Sequence, residues 1–227
     1  MQSEMRVFTN VLLSFDMLNR FPNDRVNNFC DAVFAIAMTL LILEIKIPTS
    51  ADLTSYGTSG VLLRLIPSFV GFFISFLVTA LYWRAHLILA QFVKTYDNRL
   101  LWLTVWLLMS VVLLPFSTAF YSKYFALNGP FVVYCVNLVM IGVFNLVMVN
   151  YIVKKEGYSE TLTPFVAARL RFRAMIAPAI WLLSGIWVFV EPLSARYLFI
   201  LIFILQAIGE RRLDRKEKAA ASASEKQ

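Results

Sequence analysis

Long apolar stretches joined by short polar connections run through most of the chain. A helix needs about 20 mostly apolar residues to cross a membrane, and six stretches approach or reach that length: roughly 28–47, 65–93, 100–121, 131–153, 173–191 and 195–209. The last two are short and only EPLSAR separates them, which predicts a tight helical hairpin. Strands of a barrel would instead alternate in polarity over about ten residues. The pattern predicts an all-α integral membrane protein with six transmembrane helices.

Composition agrees with this fold class. Hydrophobic residues make up 59% of the 227 positions and charged residues only 15%, and a soluble domain would interrupt its apolar runs with charge more often. The two cysteines have neither C-x-x-C nor zinc-site spacing. The chain also lacks H-E-x-x-H, G-x-S-x-G and P-loop motifs. We therefore expect no enzyme activity, no cofactor and no resident metal.

The distribution of basic residues predicts the orientation. With six spans, 16 of the 21 Lys and Arg residues lie on the side of the termini and four on the other side, while Arg84 lies inside the second span. Basic loops remain in the cytoplasm, so both termini are predicted to be cytoplasmic. This bias accounts for the net charge of +7, with anionic lipid headgroups as partners and without a nucleic-acid partner.

Three regions follow from these patterns. Residues 1–24 form a predicted cytoplasmic arm without the features of a signal peptide, residues 25–210 the membrane domain, and residues 211–227 a basic tail. The tail is charged and then small and polar, which predicts disorder. The loop after the fourth span ends in ARLRFR, which is either a solvated basic connector or a lipid-binding site.

The first span, in RVNNFCDAVFAIAMTLLILEIKIP, contains one acidic residue near its start. At 100° per residue, Ile36, Leu40 and Leu43 share one stripe with Thr39 on its flank, whereas Asp31 projects from nearly the opposite side. A carboxylate at this depth must be paired or hydrated. Asp31 therefore either braces the helix, through Arg25, His86 or an indole N–H, or contacts a transported ion.

Periodicity alone leaves the roles of the stripe and of the histidine open. An apolar stripe on a membrane helix can face lipid, another helix or a pore. His86 follows Trp83 by one turn in LYWRAHLILAQF, where it is either a structural residue or a proton sensor or relay.

The first span also resembles the first-helix signature of the transmembrane protein 175 family of potassium channels, R-x-x-x-F-S-D-A followed by an apolar helix. Arg25, Phe29, Asp31 and Ala32 match the signature, and Cys30 replaces its serine with another small residue. YWRAH in the second span and DNRLLWLTVWLLMSVVLLPFST in the third extend the resemblance. The second half of the chain is less similar.

This resemblance implies a tetramer of six-helix chains in a prokaryotic plasma membrane. The first helices would line the pore, without re-entrant filter loops, and no metal would bind beyond transient potassium. Ile36 would form a hydrophobic constriction, with Thr39 as a hydroxyl ring and Leu40 and Leu43 along the same face. The residues implied to brace the helices are Arg25, Phe29, Cys30, Asp31, Trp83 and His86.

The leading hypothesis is thus a tetrameric, potassium-permeable cation channel. A proton-coupled carrier using Asp31, Glu44 and His86 is the main alternative, and a scaffold protein without transport is a third. Saturable, pH-driven flux would favour the carrier, and absence of flux would favour the scaffold.

Overall fold

A computed structural model describes residues 20–157 and 161–224. Most of the predicted N-terminal arm therefore lies outside the described residues. In chain order the elements are strand β1 (Arg20–Phe21), helices α1 (Asn23–Leu43) and α2 (Ser50–Ala90), strand β2 (Tyr96–Asp97), and helices α3 (Asn98–Val112), α4 (Leu114–Lys123), α5 (Asn128–Glu156), α6 (Pro164–Trp187), α7 (Pro192–Tyr197) and α8 (Ile200–Ser224).

Four helical segments in the described part of the chain are long and apolar enough to cross a membrane. They are Asn23–Leu43, Ser50–Ala90, Asn98–Lys123 and Asn128–Glu156, and they correspond to the first four predicted spans. The fifth and sixth predicted spans fall on α6 and α8, with the short α7 between them. Three arginines occupy the first half of α6. The predicted helical fold is confirmed, apart from the short antiparallel pair β1–β2, and the count of six spans stays a prediction.

Local chemistry explains where the helix boundaries differ from the prediction. α2 begins at Ser50, well before the predicted residue 65, because the Thr49 hydroxyl and the Asp52 carboxylate cap its first turn reciprocally. Gly57, at φ +65°, kinks this helix, a conformation that favours glycine. The predicted third span divides into α3 and α4 at Leu113, since Pro115 has no backbone N–H to continue the hydrogen-bond ladder.

α5 and α6 form the central helix pair of the fold. Gly142 of α5 lies under the ring of Pro178 in α6, and a Cβ on Gly142 would lie 2.7 Å from Pro178 Cδ. The hydrophobic effect does not drive helices together inside a membrane, so their association depends on close packing, which small residues allow. This contact therefore fixes how near the two central helices come.

Buried polar side chains join α3 and α4 to α5. Asn137 of α5 donates from Nδ2 to the Ser110 carbonyl over 2.8 Å, and its Oδ1 accepts from the Ser117 hydroxyl at 2.9 Å. Such hydrogen bonds contribute to helix association inside the membrane. They hold both halves of the broken third span against the same helix.

Asp97 fastens the start of α3 to the end of α5. Its carboxylate accepts from the Leu100 N–H at 2.8 Å and the Tyr151 hydroxyl at 2.6 Å, and it lies 3.2 Å from Lys155 Nζ. Burial acts to raise the pKa of Asp97, but these hydrogen bonds and the Lys155 charge prevail and hold the pKa below its ordinary value. The carboxylate is therefore ionised where it caps the helix.

The last helix enters the stretch for which the sequence predicted disorder. α8 continues to Ser224, through a run rich in alanine, lysine and glutamate, all of which favour helix. Residues 225–227 lie outside the described part.

Candidate functional site

α1 has one buried face and one exposed face. The buried face packs on α2, α3 and α4, and its buried residues are Val26, Cys30, Phe34, Ala37 and Leu41. The predicted stripe lies on the exposed face, where Ile36 is 58% exposed and Leu43 74% exposed. Phe29, Ala32, Thr39 and Leu40 are also exposed. Among the described residues of one chain, therefore, no other helix covers the stripe.

Thr39 is the polar member of this face. Its hydroxyl donates to the Ile36 carbonyl at 2.8 Å, so the proton is directed along the helix. The hydroxyl oxygen keeps lone pairs that can accept a hydrogen bond or contact a cation. Thr39 thus places an oxygen acceptor one turn from the Ile36 side chain.

Asp31 lies off the stripe and bonds to the second helix. The Trp83 indole Nε1 donates to Asp31 Oδ1 at 2.8 Å. Of the three partners that the sequence allowed for Asp31, the structure contains the indole, while Arg25 is exposed at the start of α1. This hydrogen bond joins α1 to α2.

His86 belongs to the packing between the same two helices. It is 2% exposed, and its ring centroid lies 6.1 Å from that of Phe34 on the buried face of α1. Neither ring nitrogen has a hydrogen-bond partner among the described residues. Glu44 caps the other end of α1, about 20 Å along the helix from Asp31 at 1.5 Å per residue. The structure therefore does not bring Glu44 together with Asp31 and His86.

The start of α1 is attached to the turn between α2 and α3. Asn23 Nδ2 donates to the carbonyls of Val93, at 2.7 Å, and Lys94, at 2.9 Å. The Tyr96 hydroxyl donates to Asn27 Oδ1 at 3.0 Å. We call these hydrogen bonds of Asn23 and Asn27 the N-terminal clamp, which was not predicted from the sequence. The polar side chains of NDRVNN, placed just before a membrane span, are the signal that could have revealed it.

Comparison with known sequences points to one family. Residues 25–115 match the profile of the family described as "Endosomal/lysosomal potassium channel TMEM175". A protein from Chryseobacterium sp. (strain P1-3), named a potassium channel, is 28% identical over 86% of this chain and 97% of its own length. Two further proteins named potassium channels match 44% of this chain. The one from Chamaesiphon minutus is 38% identical over 49% of its own length, and the one from Streptomyces collinus is 40% identical over 48% of its own length.

Solved structures share the fold. A crystal structure described as a lysosomal potassium-selective channel TMEM175 homolog from Chamaesiphon minutus superposes with a TM-score of 0.72 at 24% identity, covering 81% of this chain and 95% of that one. A variant of the potassium channel MtTMEM175, in complex with a nanobody fusion protein, gives a TM-score of 0.58 at 19% identity, covering 84% and 93%. The matched profile contains the exposed stripe and both members of the Asp31–Trp83 bond. These similarities support the identification of the chain as a prokaryotic member of the TMEM175 family, through the profile match over residues 25–115 and a bacterial relative that is matched over 97% of that relative's length.

Proposed function

We propose that this protein is a potassium-permeable cation channel whose pore is lined by α1 from several copies. The family and its bacterial relatives carry the name of potassium channels. The observation that carries the proposal is the exposed face of α1 from Phe29 to Leu43, which is apolar except for Thr39 and lies in the segment that matches the family.

The need for several chains follows from the number of pore-lining stripes that each chain provides. One chain provides one copy of the stripe, whereas an ion path must be lined all round. Cyclic symmetry repeats one surface around an axis, and four copies would place four α1 helices about the pore. The proposal keeps six spans per chain and both termini in the cytoplasm of a bacterial cell.

The Ile36 ring acts as the gate in this proposal. Four butyl side chains around a narrow axis expel water when close, and they admit a partly hydrated cation when the helices move apart. Such a gate requires no charged residue. The Thr39 oxygen, whose proton is already donated to Ile36, would replace part of the hydration shell of the ion one turn away. Potassium preference therefore depends on Thr39 more than on Ile36.

Ion flux from proteoliposomes tests the gate. Ile36→Asn should raise resting potassium flux on the order of tenfold, the effect of lowering a barrier by about 1.4 kcal/mol, because polar side chains keep water in the constriction. Ile36→Ala should raise flux less, which separates polarity from width. Leu77→Asn on α2 is the control, because Leu77 has almost the same exposure, 59%.

A second variant tests the ion contact. Thr39→Val should reduce the preference for potassium over sodium while it leaves the Ile36 constriction in place. Unchanged flux in a properly assembled Ile36→Asn protein, or equal effects of Ile36→Asn and Leu77→Asn, would show that the stripe faces lipid or another helix.

A further inference from the structure

A cavity separate from the α1 face lies between α2, α5, α6 and α8. Its volume is about 340 Å³, within the range of about 300–1,000 Å³ that is usual for small-molecule sites. Its inner wall is apolar and aromatic, and includes Val78, Trp181, Phe199 and Ile202. Leu81 of α2 and Phe203 of α8 line the cavity and are exposed as well. The cavity therefore opens sideways between α2 and α8, where lipid surrounds the protein.

Charged side chains lie at one end of this cavity. Arg84 is near the end of α2 and Arg173 is in the first half of α6, with Glu210 of α8 beside them. Arg173 Nε contacts Glu210 Oε1 at 2.5 Å, which neutralises that pair. Arg84 is exposed and has no ion pair or hydrogen bond to any residue that the structure describes. The end of the cavity thus carries one uncompensated positive charge.

We infer that this cavity binds an anionic phospholipid from the bilayer. An acyl chain would lie against the apolar wall of the cavity, and the phosphate would pair with Arg84. Basic pockets between membrane helices are known to bind anionic headgroups. The side opening faces the bilayer, which supplies this lipid. The inference does not depend on the proposed channel function, because lipid binding is measured without ion flux.

Native mass spectrometry of protein reconstituted with equal amounts of phosphatidylglycerol and phosphatidylcholine tests the site. The wild type should retain phosphatidylglycerol preferentially. Arg84→Gln should reduce that retention about fivefold, the effect expected of one basic residue facing anionic lipid, whereas Arg84→Lys should keep it. Arg64→Gln is the matched control, since Arg64 lies on the same helix over the Tyr56 ring and away from the cavity.

Blocking variants locate the lipid. Ala177→Phe fills the inner wall and should lower retention of the bound phospholipid, and Ala207→Phe does so from the α8 side if Ala177→Phe fails to fold. The inference would be overturned by equal retention of both lipids by the wild type, by a loss in Arg64→Gln as large as in Arg84→Gln, or by unchanged retention in a folded blocking variant. Absence of bound lipid, as when a second copy or the residues before Arg20 fill the cavity, overturns it as well.

Discussion

At the residue scale, Asp31 shows what one carboxylate does on a membrane helix. Its oxygen accepts from the Trp83 indole, and its side chain is only partly exposed. Because a charge at this depth is costly unless it is paired, the bond ties the position of α1 to that of α2. The exposed stripe on the other side of α1 remains free of charge. The two requirements, bracing and an apolar face, are met by different sides of one helix.

Breaking this bond should reduce stability more than ion selectivity. Trp83→Phe removes the donor and leaves the carboxylate without its partner, at a cost of about 1–3 kcal/mol. Asp31→Asn removes the charge and should also lower stability. Thermal unfolding of the purified protein measures the effect, and Trp102→Phe, at an exposed tryptophan of α3, is the control. Well-assembled Asp31→Asn protein with altered potassium preference would place Asp31 in the ion path instead.

The direction of Asp31 away from Ile36 could be predicted from the sequence, because helical periodicity is a local property. The choice among its partners could not. The sequence allowed Arg25, His86 or an indole N–H as the partner, and the outcome depends on how α2 is rotated against α1. The cavity beside Arg84 was not predicted for the same reason, since α5, α6 and α8 form the rest of its wall.

At the scale of elements, the contact between α5 and α6 depends on one glycine. Three ring atoms of Pro178 lie within 2.9 Å of the position that a Cβ on Gly142 would take. A proline ring is rigid and cannot rotate away as a flexible side chain can. The close approach of the two central helices therefore requires glycine at this position.

Gly142→Ala should destabilise the protein by about 1–3 kcal/mol, the usual cost of forcing an extra methyl group into a packed core. Gly129→Ala near the start of α5 is the matched control, because nothing lies within 4 Å of its Cβ position. The two variants are compared by thermal unfolding in the same detergent. Equal stability of Gly142→Ala and the wild type would mean that α5 and α6 separate easily.

The presence of the first four helices could be predicted from apolar length, but their ends could not. The ends are determined by single residues that a hydropathy average does not resolve, such as the Thr49 cap and Pro115. The last two helices were harder still. The arginines and the apolar residues of α6 lie in one continuous helix. The amino-acid composition changes from basic to apolar along the chain, but the helix does not end at that point.

At the scale of the whole molecule, one chain is incomplete in the proposed assembly. α1 packs on α2, α3 and α4 by one face only, and its other face requires lipid or further copies.

We predict four chains around α1. Ile36→Cys should form disulfide-linked dimers between chains on mild oxidation, since the four side chains converge on one axis. Leu77→Cys, similarly exposed on α2, should not. The native Cys30 and Cys135 are buried and provide a low background. Native mass spectrometry gives the number of chains, and a conducting monomer would refute the prediction.

The N-terminal clamp has a mechanical consequence. It holds α1 near Asn23, whereas the far end of the helix, from Ile42 onwards, is exposed. For a tilt of α1 about this clamp, Ile36 lies about 20 Å and Leu43 about 30 Å from the pivot at 1.5 Å per residue. Such a tilt must also shift the packing of Ala37 and Leu41 against the neighbouring helices. A small tilt displaces Leu43 about 1.5 times as far as Ile36. In the proposed channel, such a tilt would widen the pore at Leu43 more than at the Ile36 constriction, so Ile36 would stay the narrowest point.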